Sequence, residues 1–467
     1  MRYISTRGAA APLEFEDVLL EGLARDGGLY VPEAWPRVEP DEIAAMAEWS
    51  YAEVALRVMS PFVSADVAAA LPEIIEKAYG TFRDIHVAPL KPLGDLQLME
   101  LFHGPTLAFK DVAMQVLGGL FDHVLAKRDQ RVTIIGATSG DTGSAAIEAV
   151  RGRERASIFI LHPHGRTSDV QRKQMTTVDA PNVFNVAVVG TFDDCQNLLK
   201  AMFNDTAFRD RVNMSGVNSI NWARLMPQIV YYFTGALALH GKDAATKPTS
   251  FSVPTGNFGD IYAGYAAAQM GLPVGKLVVA SNQNDILTRV MNTGDHTLGA
   301  VAQTIAPSMD IQISSNFERL LFDMLGRDGA AVAEKMNQLK ADGTFQVSPE
   351  ALDYVRPLFA AHRVDEEQTL ATMKKAYDAV GELLDPHTAI GVASAQRERD
   401  ADPGLQQQPM VVLGTAHPAK FPDAVERATG VRPSLPEHLA DLYERPEKFD
   451  VLPNDLAAVE AHVSARV

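Results

Sequence analysis

The chain of 467 residues lacks features that mark several large classes of protein. It has a single cysteine, Cys195, which excludes an internal disulfide and a cysteine-based metal cluster. There are 42 lysine and arginine residues against 59 aspartate and glutamate residues, so the formal net charge is −17. Without a basic excess to displace counterions, we expect no binding to nucleic acid, although a few local cations could still hold a small anion.

Long apolar runs are also missing. The start, MRYISTRGAAAPLEF, lacks the apolar core of a signal peptide, and no later segment has the roughly 18 apolar residues of a membrane span. We therefore expect a cytoplasmic protein that has no membrane partner. With 46% hydrophobic residues, the chain is long enough to bury about two or three cores.

Short β-branched runs alternate with helical patterns from Arg131 onward. Examples are RVTIIG, SIFILHP, VFNVAVVG, TSFSVPTG, KLVVAS and PMVVLGT. This alternation predicts the α/β class, with βα units around parallel strands that are buried on both faces. Helical spacing dominates the N-terminal region and the stretch near 317–384, so we expect a mostly helical start and a helical insertion before the last βα unit.

A glycine-rich turn follows the first of these β-branched runs. GATSGDTGSAA, residues 136–146, exposes backbone N–H groups at the start of a helix, which is a suitable place to bind an anion. It has neither the G-x-G-x-x-G spacing of a dinucleotide fingerprint nor the lysine of a P-loop. A turn of purely structural use is the alternative.

Two further turns have the same design. PTGNFGD, residues 254–260, follows TSFSV and opens a helix, and its glycines permit the backbone to approach a phosphate closely. LGTAHPAKF follows PMVV near the C-terminal end. All three turns are predicted at the carboxyl ends of parallel strands, where open α/β sheets bind ligands.

Lys110 lies in HGPTLAFKD, residues 103–111, immediately before an apolar helical stretch. The positive end of a helix disfavours an ammonium group there, which suits a lysine that works as a neutral amine or an imine. The alternative is an ordinary lysine whose flexible stem carries its charge into water. An imine-forming lysine combined with phosphate-binding turns suggests pyridoxal phosphate as the cofactor.

These four motifs, with YISTRG, DGGLYVPE and NSINWAR, resemble the threonine synthases of the longer bacterial and fungal type over nearly the whole chain. The resemblance implies the pyridoxal-phosphate fold type II, which is similar to the tryptophan synthase β subunit and has two parallel-sheet domains. We expect a mostly helical N-terminal domain at 1–95, a large cofactor-binding domain at 96–128 plus 241–467, and a smaller mobile domain at 129–240.

The resemblance also implies roles for particular residues. Lys110 is the catalytic lysine, which binds the cofactor as an imine and then moves protons. Asp141 is expected near the cofactor's ring oxygen, where related enzymes often carry asparagine, and the hydroxyl of Thr415 is expected to face the pyridine nitrogen. The cofactor phosphate is assigned to a loop of four residues, Gly256, Asn257, Phe258 and Gly259.

The substrate implied is O-phospho-L-homoserine. Its carboxylate is assigned to Ser139, Gly140 and Thr142. Its phosphate needs other donors, for which the candidates are Arg289, Ser314, Ser315 and Asn316. For Arg289 a surface ion pair is the alternative.

The histidines carry less information. His103, His387 and His417 lie in or beside the motifs, but a buried structural imidazole is the alternative for each. His162 and His164 have no further ligand at metal spacing, so no metal site is predicted.

The implied reaction is γ-elimination of phosphate followed by addition of water at Cβ, which gives L-threonine and phosphate. This is a carbon–oxygen lyase of threonine biosynthesis, and the longer type implies a monomer. Two alternatives stay open at this point. One is a related lyase or dehydratase that releases an oxoacid from phosphohomoserine or another phosphorylated amine, and the other is a metabolite-binding protein without catalysis.

Overall fold

The computed structural model describes residues 1–138, 140–216, 219–406 and 408–467. The N-terminal part combines helices with a small antiparallel sheet of order β2-β1-β3. Its elements, with the first two strands of the next sheet, are β1 (Arg2–Ser5), β2 (Leu13–Glu14), α1 (Phe15–Glu21), β3 (Tyr30–Pro32), α2 (Pro40–Ala45), α3 (Tyr51–Met59), α4 (Ala65–Tyr79), β4 (Leu90–Leu93) and β5 (Leu96–Glu100).

The middle of the chain forms βα units, as the alternating pattern predicts. Its elements are α5 (Lys110–Arg128), β6 (Val132–Ala137), α6 (Asp141–Val150), β7 (Ala156–Pro163), α7 (Asp169–Thr176), β8 (Val183–Val189), α8 (Phe192–Asn204), α9 (Thr206–Arg211), β9 (Met214–Ser215) and α10 (Trp222–His240). Ser168 caps α7 and Thr191 caps α8 through side-chain oxygens, because the first-turn N–H groups of a helix need acceptors.

The last part returns to a second sheet. Its elements are β10 (Thr249–Pro254), α11 (Gly259–Gln269), β11 (Val274–Ser281), α12 (Ile286–Thr293), β12 (Asp295–Thr297), α13 (Phe317–Met324), α14 (Gly329–Asp342), β13 (Thr344–Gln346), α15 (Pro349–Val355), β14 (Phe359–Arg363), α16 (Glu366–Val380), α17 (Pro386–Ala401), β15 (Met410–Gly414), α18 (Pro422–Thr429), β16 (Asp450–Pro453) and α19 (Leu456–Ser464). The stretch near 317–384 is mainly helical, but it also contributes β14, which pairs with β11.

Two sheets form the α/β framework. The larger has the order β14-β11-β10-β15-β5-β4, and the smaller has the order β16-β8-β7-β6-β9. Apart from the antiparallel pair of β4 and β5, their neighbouring strands are parallel. Residues 132–136 of β6 and all of β10 are buried, as the apolar runs predict for strands covered on both faces.

Three elements pack differently from the predicted domain division. β16 pairs in parallel with β8, and Val459 and Val463 of α19 join the apolar core of the smaller sheet, so the C-terminal residues belong with that sheet. In contrast, α10 lies within 129–240 but packs on α3, α5 and α11. α10 is apolar over almost its whole length, and most of its residues are buried against these three helices.

Within the described ranges, no helix combines the length and the apolar character needed to cross a membrane.

Candidate active site

Lys110 is the first residue of α5, at the position that the sequence predicts. The loop before it is joined to the loop after β15 by two backbone hydrogen bonds: Phe109 N–H donates to the Thr415 carbonyl at 2.9 Å, and His417 N–H donates to the Leu107 carbonyl at 3.0 Å. Leu107 has a φ of 62°, an unfavourable value for a leucine. Such strain is kept only where the surroundings enforce it, and here it brings Lys110 next to Thr415.

The Lys110 side chain is 11% exposed, and its Nζ lies 3.5 Å from Asp141 Oδ2. Burial lowers the pKa of the Lys110 ammonium, Asp141 opposes the shift, and the positive charges of Lys420 and Arg224 lower it again, with a net decrease. The sequence predicts a disfavoured ammonium from the helix end alone. In the structure the main cause is removal from water.

Asp141 opens α6 and is buried between two ammonium groups. Its Oδ1 lies 3.1 Å from Lys420 Nζ and accepts a hydrogen bond of 2.9 Å from Gln171 Nε2. Burial alone would raise the pKa of Asp141, but Lys420, Lys110 and the Gln171 hydrogen bond hold it well below its usual range. We call Lys110, Asp141 and Lys420 the charge cluster.

The residues beside Asp141 form the start of α6. A side chain at Gly140 would overlap the Gln171 amide, so only glycine lets Gln171 reach Asp141. The N–H groups of Gly140 and Gly143 both donate to the hydroxyl of Thr138, at 3.0 and 3.2 Å. Thr142 is half-buried in the first helical turn. Ser139, also assigned to the substrate carboxylate, lies outside the described residues.

Residues 256–259, which we call the amide loop, follow β10 and lead into α11. In the described part of the chain, their N–H groups donate to no other protein group. Phe258 has a φ of 65°, and a side chain at Gly256 would overlap the Ser308 carbonyl oxygen. This strained, tightly packed turn holds free N–H groups at a helix N-terminus, which is an arrangement that binds phosphate.

Two residues assigned to the substrate phosphate are instead bonded to the amide loop. Ser314 Oγ donates to the Gly256 carbonyl at 2.7 Å, and both the backbone N–H and the side-chain amide of Asn316 donate to the Asn257 carbonyl, at 3.1 and 2.9 Å. These hydrogen bonds fix the loop through the carbonyl groups of Gly256 and Asn257. The N–H groups of the loop therefore remain available to a ligand. Ser315, between them, is half-buried.

Thr415 is 5% exposed and belongs to a buried network. Its N–H donates to Thr388 Oγ1 at 3.2 Å, and that hydroxyl donates to Asp385. The other oxygen of Asp385 pairs with His387 Nδ1 at 2.8 Å, and His387 Nε2 accepts from Ser308 N–H at 3.2 Å. These bonds assign the proton of His387 to Nδ1 and connect Thr415 with the residue that packs on Gly256.

Comparisons with known proteins agree with this geometry. Three family models match: threonine synthase N terminus over residues 2–79, pyridoxal-phosphate dependent enzyme over 93–415, and threonine synthase C-terminal over 388–463. The chain belongs to the threonine synthase family. It is a pyridoxal-phosphate-dependent lyase, as the resemblance implies.

Individual relatives of the threonine synthase family match almost end to end. The threonine synthase of Pseudomonas aeruginosa is 56% identical, with 99% of this chain and 98% of that protein covered. The structure of pyridoxal-phosphate-bound threonine synthase from Brucella melitensis superposes with a TM-score of 0.96 at 54% identity, covering 100% and 99% of the two chains. The yeast threonine synthase structure has a TM-score of 0.94 at 40% identity, covering 100% and 98%.

The described residues fit the cofactor of this family. The amide loop offers N–H donors to a phosphate, and Lys110 offers a buried amine to an aldehyde. β10 and β15 are neighbouring parallel strands, so the amide loop and Thr415 leave the sheet at the same edge, about 5 Å apart in the pairing direction. Phe109, next to Lys110, is bonded to Thr415, so Lys110 also lies at this edge of the sheet.

Sequence reasoning missed Lys420 and Arg224. Both lie in motifs quoted for the family resemblance, LGTAHPAKF and NSINWAR, but neither motif shows which of its residues faces Lys110. Both side chains are almost fully buried, at 0% and 3% exposed. The available sequence signal was a basic residue inside a motif of the family. Its burial, which marks it as a candidate for function, is visible only in the structure.

Arg289 is placed differently from its assignment to the substrate phosphate. Its guanidinium donates to Asp285 at 3.0 Å, to Asp295 at 3.1 Å and to the Thr297 carbonyl at 2.6 Å. These contacts correspond to the surface ion pair left open as its alternative.

The histidines near the motifs have structural contacts. His103 Nε2 pairs with Glu100 at 2.9 Å, and His417 Nδ1 accepts from Ala419 N–H at 3.1 Å. Burial lowers the pKa of His417 to about 4, which agrees with a neutral ring that accepts a hydrogen bond.

Proposed function

We propose that this chain converts O-phospho-L-homoserine and water to L-threonine and inorganic phosphate. The observation that carries the proposal is the position of Lys110, a largely buried amine 3.5 Å from Asp141 that directly follows a loop bonded to Thr415. The match to threonine synthases over nearly the whole chain supports the same reaction.

Pyridoxal phosphate, when bound, withdraws electrons from the substrate and so makes the proton at Cα acidic. We assign the proton transfers to Lys110, because its lowered pKa favours the neutral amine that can accept a proton. The amide loop would hold the cofactor phosphate through its N–H groups, and the Thr415 hydroxyl would be the partner of the pyridine nitrogen. A hydroxyl partner, unlike a carboxylate, does not hold that nitrogen protonated.

The substrate's own anions need separate donors. We assign its carboxylate to the start of α6, where Gly140 and Thr142 lie beside the positive end of the helix dipole. Ser139 stays assigned to the same carboxylate from the sequence alone. For the substrate's phosphate, we propose Arg224 in place of Arg289 because of its position near Lys110. Arg224 is buried and acts electrostatically on Lys110, whereas Arg289 is held by two carboxylates.

Arg224 is also suited to an anion by its environment. Burial lowers the pKa of its guanidinium to about 10, which still leaves it charged at neutral pH. A buried cation gains most from an anion that shares its low-dielectric surroundings, and a guanidinium can hold phosphate through two parallel hydrogen bonds.

Product analysis tests the reaction. Purified enzyme with pyridoxal phosphate and O-phospho-L-homoserine should release L-threonine and phosphate in equal amounts. A yield of mainly 2-oxobutanoate would show a related lyase, and no turnover with tight substrate binding would show a binding protein. Borohydride reduction followed by peptide mapping should place the cofactor on Lys110.

We also propose that the enzyme works as a monomer in the cytoplasm, as the longer type of the family implies. Light scattering on the chromatographed holoenzyme should give the mass of one 50.6 kDa chain. A stable dimer at micromolar concentration would contradict the monomer, and fractionation of cells would test the compartment.

A further inference from the structure

Lys420 is a fully buried lysine that no role assigned above uses. Its Nζ donates to the Thr106 carbonyl at 2.6 Å and to Gln174 Oε1 at 2.8 Å, and it lies 3.1 Å from Asp141 Oδ1. The three contacts come from three segments: the loop before α5, α7, and the start of α6. A buried ammonium is costly unless its hydrogen bonds and its charge are satisfied, and here both are.

The charge cluster contains two ammonium groups and one carboxylate. Asp141 has one oxygen toward Lys420 and the other toward Lys110, at 3.1 and 3.5 Å. If Lys420 were absent, Lys110 would be the one lysine left to compensate the Asp141 charge, and that would favour the protonated form of Lys110. Lys420 therefore reduces the extent to which Asp141 favours the protonated form of Lys110.

We propose that Lys420 is a positioning residue that takes up the negative charge of Asp141 and so leaves Lys110 free to act as a neutral amine. This rests on the proposed role of Lys110 as the amine that binds the cofactor. Lys420 itself does not need to touch the substrate or the cofactor. Lys420 affects the pKa of Lys110 in two ways. It compensates the charge of Asp141, which would raise that pKa, and its own positive charge lowers it.

Other charged or titratable groups face the cluster and remain in every variant described below. Arg224 acts on Lys110, Lys110 acts on Asp260, His387 acts on Asp141, and Lys420 acts on Asp111. Since they are unchanged, a difference between variants reports Lys420 and Asp141 rather than these neighbours.

The experiment follows the covalent binding of pyridoxal phosphate to cofactor-free protein. The visible absorbance of the bound cofactor grows at a rate proportional to the neutral fraction of Lys110. The rate is measured against pH for wild type, Lys420→Met, Asp141→Asn and the double variant. This readout needs no substrate, so it can fail while threonine production succeeds, and the reverse.

For Lys420→Met we expect the midpoint of the pH profile to move up by about one unit, which slows binding about tenfold at neutral pH. In the double variant the carboxylate is gone as well, so the midpoint should return most of the way to wild type. A purely structural lysine would give an unmoved midpoint in Lys420→Met, or a double variant no better than the single one. Either result overturns the proposal.

Two further variants complete the test. Lys173→Met is the matched control, because it removes a lysine of α7 that donates to the backbone carbonyls of Tyr443 and Arg445, away from Asp141. Its midpoint should equal that of wild type. If Lys420→Met does not fold, Lys420→Gln keeps a donor without the charge and must show the same upward shift. An unshifted profile in a folded Lys420→Gln variant would also overturn the proposal.

Discussion

The amide loop and the charge cluster bind different parts of one ligand by different means. The amide loop has no charged side chain and presents backbone N–H groups at the start of a helix, whereas the charge cluster places two lysine side chains around the buried Asp141 carboxylate. Backbone dipoles do not titrate, but a cluster of buried charges does. The comparison teaches that anchoring and proton transfer are separated, so the grip on the cofactor can stay constant while Lys110 changes its protonation.

Lys110→Ala should have the largest effect and should separate the two regions. Removing the amine should lower threonine formation by about 10³-fold or more, because covalent binding and proton transfer are lost together. The amide loop should still hold pyridoxal phosphate without a covalent bond. Equilibrium dialysis would measure this binding. Asp111→Asn is unsuitable as a control, because the Asp111 carboxylate accepts hydrogen bonds from the N–H and the hydroxyl of Thr106.

A suitable control for Lys110→Ala is Lys127→Ala, which changes an exposed lysine at the other end of α5. Its activity should stay close to wild type. If Lys110→Ala keeps substantial turnover, or if it loses all affinity for the cofactor, the division between the two regions is wrong.

Arg224→Ala and Arg289→Ala extend the comparison to the substrate phosphate. Loss of a buried guanidinium that binds phosphate should raise KM about 10- to 100-fold, as expected for charge-assisted hydrogen bonds. Arg289→Ala removes surface ion pairs and should change KM by less than about threefold. Steady-state kinetics would decide, and the reversed order would restore Arg289 as the phosphate ligand.

Gly256→Ala tests the amide loop directly. The added methyl group overlaps the Ser308 carbonyl oxygen, so the loop must shift and its N–H groups lose alignment. We expect about tenfold weaker binding of pyridoxal phosphate, equal at every pH because no titrating group is changed. Gly299→Ala is the matched control, since its new methyl group would meet only ordinary contacts at 3.6 Å.

The smallest expected effect concerns Asp260, the titratable residue next to the amide loop. Burial raises the pKa of Asp260 to about 7, against the hydrogen bonds from the hydroxyl groups of Tyr231 and Tyr232. The pKa of Asp260 is higher in the folded state than in the unfolded state. The contribution of Asp260 to the free energy of unfolding is therefore complete below about pH 4 and is lost as pH rises toward 7.

Asp260→Asn should remove this pH dependence. The Tm of wild type relative to the variant should fall by a few degrees, about 2 to 4, between pH 4 and pH 7. Calorimetry across that range would measure it. A constant difference in Tm would mean that Asp260 does not titrate with folding, and the amide loop would then have no nearby group that responds to pH.

Much of the fold follows from local patterns. The runs RVTIIG and PMVVLGT form parallel strands, and the side chains of Ser168 and Thr191 cap the helices that follow them. The strand β16 and the packing of α10 were not predicted, because a short terminal run and an apolar helix can be buried against either sheet. Which sheet they join depends on contacts distant in sequence.

The N-terminal signature YISTRG shows the same limit. Its residues identify the family, but their function becomes visible only in the fold. Thr6 Oγ1 donates to Glu318 at 2.6 Å, and Arg7 pairs with the same carboxylate at 2.9 Å, so the N-terminal sheet supports α13. That helix follows Asn316, which holds the amide loop.

The amino-acid sequence by itself determined the class of fold, the cofactor, and the place of Lys110 at the start of a helix, because periodicity, turn chemistry and motifs are local properties. The tertiary structure decided which charges meet. Lys420 is 310 positions from Lys110, and only the convergence of several segments places both ammonium groups on Asp141. Burial then lowers the pKa of Lys110, since the cost of removing a charge from water depends on everything packed around it.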